Sequence, residues 1–242
     1  MSKIIKRVPV LLLALFYTTN AKSQNDKLGT WNILNAEYYL NKKWNVWVEG
    51  QLRTQKFVDD IYYHQMKGGF SYKLNKTTVF LFGAGQYATY SNGGNFKSPA
   101  ISHEFRMWEQ LTLTSNISRL KIEHKYRAEQ RWFNRIYRNT FRYRFNPIVP
   151  INKHVIEKGT IYASVFNEVF MTNKAPYFER NRIFLGLGFM INDPLTVQAG
   201  FFRQFDYSLS NPGTRKDFIQ TSVSFRLNQH KGEPSPHSIP AD

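Results

Sequence analysis

Between positions 120 and 132 the chain alternates one residue at a time. Lys121, Glu123, Lys125, Arg127, Glu129 and Arg131 share one parity, and Leu120, Ile122, His124, Tyr126, Ala128 and Trp132 share the other. A helix turns every 3.6 residues and would spread those charges around its whole circumference, whereas a strand, with a period of two, sorts them onto separate faces. The same rule holds over the next segment, where Arg138, Thr140, Arg142 and Arg144 oppose Tyr137, Phe141, Tyr143 and Phe145. It recurs at 45–53, 195–202 and 219–228. The chain reads as all-β.

Strand length narrows the architecture. These runs extend over 11 to 15 residues, while soluble sandwiches use strands of about 5 or 6 residues. A strand that crosses a bilayer at a tilt needs about 9–11 residues, more if it protrudes. Mean hydropathy is −0.48, yet 20 Phe, 14 Tyr and 5 Trp are present. That combination suits strands with one face in lipid and the other in a polar interior, and it excludes both a helical membrane bundle and a disordered chain. The expected fold is a transmembrane antiparallel up-and-down β-barrel of about 10 to 12 strands. Closure leaves no backbone edge unpaired in hydrocarbon.

The N-terminus fits export. Lys3, Lys6 and Arg7 precede a short apolar run at 8–17, and Ala21-Lys22-Ser23 offers small residues for cleavage. Residues 1–23 are therefore expected to be a signal peptide, 24–30 a lead, 31–228 the barrel and 229–242 a disordered Pro-rich tail. The expected location is the cell outer membrane. Cleavage would remove four of the 33 basic residues and none of the 17 acidic ones. The remaining excess of positive charge does not point to nucleic acid, since its charges lie on alternate residues of long strands. Expected partners are outer-membrane lipids and the barrel assembly machinery, with the chain a monomer. With no cysteine, Cys-based metal, cluster and thiol chemistry is excluded. No cofactor or metal site is implied.

Turn signals give the topology. Short connections are expected near 75–76, 115–116 and 192–194, and longer ones at 54–61, 91–99, 172–178 and 208–216, alternating as periplasmic turns and outer loops do. Two segments break the pattern: 133–136 is short where a loop is due, and 147–158 is long where a turn is due. Starts near 43, 62, 77, 100, 118, 136, 159, 179, 194 and 216 give ten strands with both chain ends periplasmic. The segment 31–40 reads as an eleventh. Even-numbered barrels then require either that it not span or that a twelfth strand exist.

By parity, Glu49, Arg53, Glu104, Arg106, Glu123, Lys125, Arg127, Glu129, Arg138, Arg142, Arg144, Glu168 and Arg182 project into a lumen of modest width. Such a lumen lies between the filled interior of eight strands and the open channel of a porin. The expectation is a paired Arg/Lys-Glu network, with a narrow anion-preferring passage or an anionic-ligand site as alternatives. Basic residues near the outer rim, Lys56, Lys97, Arg131, Arg135, Arg138, Lys174, Arg180, Arg215 and Lys216, could meet lipid phosphates. A lipid-modifying hydrolase is the rival reading of the whole chain. Its candidates, Ser102, His103 and Glu104, are consecutive on a strand and so face opposite sides, which argues against a triad. Gly83-Ala84-Gly85 and Gly186-Leu187-Gly188 lie within strands and open no phosphate loop.

The ordered set of motifs resembles a known family. It comprises Trp44 and Glu49-Gly50-Gln51-Leu52-Arg53 after Leu40-Asn41-Lys42-Lys43, then Glu104-Phe105-Arg106-Met107-Trp108-Glu109-Gln110 and the Arg-rich 139–144. Phe166-Asn167-Glu168-Val169-Phe170 and Asn181-Arg182-Ile183-Phe184-Leu185-Gly186-Leu187-Gly188 complete it. Over about residues 30–228 the chain is similar to the outer-membrane barrels catalogued as domain of unknown function 2490. The resemblance implies an outer-membrane barrel and carries no catalytic residue. Members commonly end on a strand with a terminal aromatic, whereas here Phe225-Arg226-Leu227-Asn228 is followed by the tail.

Overall fold

A computed structural model describes residues 28–91, 93, 96, 99–209 and 213–229. The expected signal peptide, most of the lead and the tail beyond Gln229 lie outside the described residues. Every regular element among them is a strand: β1 Gly29–Tyr39, β2 Trp44–Lys56, β3 Asp59–Lys73, β4 Thr78–Thr89, β5 Ser102–Ile117 and β6 Leu120–Phe133. There follow β7 Ile136–Pro150, β8 Ile161–Thr172, β9 Phe178–Met190, β10 Leu195–Asp206 and β11 Thr214–Leu227. They close into one barrel, each strand paired with its sequence neighbours and β1 with β11.

The number of strands in this barrel is eleven, and the closure explains how an odd number is possible. β1 runs parallel to β11, from Gly29 opposite Phe218 to Tyr38 opposite Leu227. Every other pair is antiparallel. The segment 31–40 is thus a full wall strand, and no twelfth is required. The expectation that both ends of the barrel chain meet at one rim is overturned. Gly29 starts at the rim that carries connections 57–58, 90–101, 134–135, 173–177 and 207–213, here the loop end. Leu227 finishes at the rim with 40–43, 74–77, 118–119, 151–160 and 191–194, the turn end.

The irregular connections have local causes. At 134–135 both Asn134 and Arg135 adopt positive φ (46° and 65°), the requirement of a two-residue type I′ hairpin, so no loop forms there. The longer loop expected at 54–61 is instead a hairpin tip at 57–58, because Lys56 pairs with Asp59 after a register shift between Arg53 and Thr54. The long 151–160 connection is held by Arg119, whose Nη2 donates to the carbonyls of Pro150 (2.8 Å), Ile151 (2.9 Å) and Lys153 (2.7 Å). Its Ile156 packs on inward Ile148 and Tyr162, so this loop folds back against the turn end.

The wall inverts the polarity of a soluble fold. Leu34, Val46, Val48, Leu52, Met66, Phe141, Leu185 and Leu187 face outward and are exposed, while Asn35, Glu49, Gln51, Gln65, Thr140, Arg144 and Glu168 are buried inside. Paired aromatics lie outside toward both rims, Trp44 with Tyr72 at the turn end and Trp132 with Tyr137 at the loop end.

Candidate functional site: the barrel lumen

Strict alternation turns each strand's charged parity toward the axis. All thirteen charged residues singled out by parity have side chains on the inward face, and the most accessible of those in ion pairs, Arg138, exposes 20% of its side chain. The structure brings most of them together in the half nearer the loop end. Glu168 on β8 is the hub. Its Oε1 accepts from Arg142 Nη2 at 2.7 Å, its Oε2 from Arg144 Nη2 at 2.9 Å, and Arg182 Nη1 stands 3.6 Å away. Arg142 also reaches Glu129 at 2.7 Å, and Glu129 is approached by Arg127 at 3.3 Å and Arg106 at 3.7 Å. Glu104 pairs with Arg106 at 2.6 Å and with Arg131, which continues to Glu179 at 2.9 Å and so to Arg138. The chain of carboxylates and guanidiniums therefore runs across β5 to β9.

Aromatic rings occupy the rest of that half. Trp31, Ile33, Tyr62, Tyr63, Tyr87, Phe166, Phe184, Phe202 and Phe218 form one buried cluster. Guanidiniums bridge the two zones by stacking. Arg53 lies 3.4 Å from the Trp31 ring and 4.1 Å from that of Tyr63, Arg144 lies 4.3 Å from Phe166, and Arg142 lies 4.4 Å from Phe170. Such contacts place cations where water is excluded, at a gain of about 2 kcal/mol each when desolvated.

Parity reasoning missed these rings as partners of the charges. Their signal was present in the sequence, since Phe166 and Phe170 share parity with Glu168, and Phe184 shares it with Arg182. It also missed Glu37, Lys67 and Glu179, which face inward as well. Lys67 pairs with Glu49 at 2.8 Å.

The half nearer the turn end is less full. A cavity of about 60 Å³ is lined there by residues close to the 40–43, 74–77 and 118–119 turns, among them Glu37, Asn45, Ser71, Thr112 and Lys125. Its wall includes Trp47 and Trp108, with ring centroids 5.9 Å apart. Gly83 makes room for Trp108, because a Cβ there would stand 2.3 Å from the indole. Glu123 sits at this end with Lys121 at 2.9 Å and Lys125 at 3.9 Å.

The residues weighed for other chemistry are dispersed. His103 is exposed outside, while Glu104 is inside and engaged by arginines. His64 stacks outside with Tyr90, and His124 bonds the Tyr143 hydroxyl. No three His, Asp or Glu among the described residues are arranged to hold a metal ion. Of the rim bases, Arg131, Arg138, Arg180, Arg215 and Lys216 are committed to carboxylates, Lys56, Arg135 and Lys174 are exposed, and Lys97 lies outside the described residues.

A family model described as protein of unknown function (DUF2490) matches residues 28–215. The chain belongs to this family. The match begins one residue before β1 and runs into the start of β11, so it spans nearly the whole wall of this DUF2490 barrel. No curated protein and no solved structure matches the chain.

Proposed function

We propose that this DUF2490 chain is an outer-membrane barrel whose lumen is closed by a built-in plug of ion pairs and stacked rings, so that its ground state is structural and passes no solute. The observation that carries the plug is the buried hub at Glu168, which joins three arginines of β7 and β9 inside the barrel. Breaking into such a network leaves a buried charge unpaired, at several kcal/mol, so thermal opening is rare. Membrane placement is supported by the inverted polarity, by strands of 11 to 16 residues, and by aromatic pairs toward both rims. The excess of inward arginine would give any opened form an anion preference.

Purified protein in planar bilayers is expected to show no sustained conductance at neutral pH. Stable single-channel steps from the unaltered chain would overturn the closed lumen. In fractionated cells the protein should sit in the outer membrane and migrate differently before and after boiling. A soluble chain with unchanged mobility would overturn the membrane reading.

A further inference from the structure

Two inward charges at the edge of the ion-pair network face the same cavity. Glu37 is buried, its carboxylate accepts the Tyr39 hydroxyl at 3.0 Å, and the inward residue opposite it across the seam is Arg226, whose guanidinium bonds the Thr196 hydroxyl at 2.9 Å. Lys125 has one carboxylate in reach, Glu123 at 3.9 Å, which is too long for a hydrogen bond. Both line the cavity of the turn-end half, and Trp47 and Trp108 form its apolar side. The other charged residues of the lining are occupied, Glu49 with Lys67 at 2.8 Å and Arg127 with Glu129 at 3.3 Å.

An acid and a base on the lining of one small polar space, neither in a short ion pair, complement a ligand that carries both charges. We propose that this cavity binds a small zwitterion of the α-amino acid class. The ligand carboxylate meets Lys125, the ligand ammonium meets Glu37, and the short side chain rests on the indoles of Trp47 and Trp108. Both ligand charges are then neutralised inside the barrel, which removes the penalty of burying either alone. The cavity, about 60 Å³, has room for several waters and so for a small ligand.

The site is tested by calorimetric titration of the detergent-solubilised full chain with L-alanine, propionate and ethylamine. Alanine is expected to bind, and the two single-charge probes at least tenfold more weakly. Glu37→Gln and Lys125→Met should each weaken alanine at least tenfold while keeping the heat-modifiable mobility of a folded barrel. Absence of alanine binding to the unaltered chain would mean that the cavity holds water alone, and would overturn the proposal whatever the variants do. Equal binding of alanine and propionate, or folded variants with unchanged affinity, would overturn it too. The measurement is made in detergent and does not depend on where the protein resides.

Discussion

The two halves of the lumen are built by one alternation rule and end up unlike. Toward the loop end, long side chains meet long side chains: arginines of β7 and β9 reach Glu168, and the rings of Trp31, Phe166, Phe184 and Phe202 fill what remains. Toward the turn end, Asn45, Ser71 and Thr112 are too short to meet across the axis, and a cavity persists. Side-chain reach, not strand number alone, decides whether a barrel of this width is filled. Ionic closure and open space therefore coexist within one wall.

The halves should differ most when a carboxylate is removed. Glu168→Ala strands up to three buried guanidiniums and is expected to cost about 3–5 kcal/mol. Glu37→Gln deletes a buried charge that makes no short ion pair, and is expected to stay within about 1 kcal/mol or to stabilise. Urea unfolding in lipid vesicles, followed by tryptophan fluorescence, compares the two. Equal losses would mean that the loop-end network is not the stabilising element.

Much of this contrast could be read from the sequence, and part could not. Parity alone assigns Glu168, Arg142 and Arg144 to the interior, because a strand offers only two faces. It does not say which opposite charges meet, since register across strands sets that. Arg142 faces Phe170 in the ladder while its guanidinium reaches Glu168, a diagonal that no single strand encodes. The tight turn at 134–135 and the odd strand count were hidden for a related reason. The first depends on positive φ at Arg135, a residue that gives no glycine-like signal. The second depends on a parallel pairing between the two ends of the wall, where no turn marks the partners.

A smaller difference separates two glycines of the wall, one facing the lumen and one facing outward. Gly83→Ala drives a methyl into Trp108, and should cost about 1–3 kcal/mol in the same unfolding assay. Gly50→Ala faces outward, meets only the flexible end of Met66 at 3.2 Å, and should change stability by less than about 0.5 kcal/mol. If Gly83→Ala is also neutral, Trp108 is free to move and the turn-end half is looser than its packing indicates.

The smallest effect belongs outside the lumen. Arg203 and Asp217 pair at 2.8 Å on the outer face near the loop rim, and Arg203 keeps a third of its side chain exposed. Asp217→Asn is expected to cost under about 1 kcal/mol, and less in high salt. A loss as large as that of Glu168→Ala would place this pair in a dry environment.

The parallel seam has a consequence for how such a wall is made. Asn32 and Thr221, which bond across it, are 189 residues apart, so shutting the ring joins the two strands of the wall that lie farthest apart in sequence. Because they point the same way, the first strand begins at one rim and the last strand ends at the other, whereas an even-numbered antiparallel barrel brings both ends to one rim. Closure is then a long-range, late event. A passenger fused ahead of Gly29 would emerge at the loop end of the wall, and one fused behind Leu227 at the turn end.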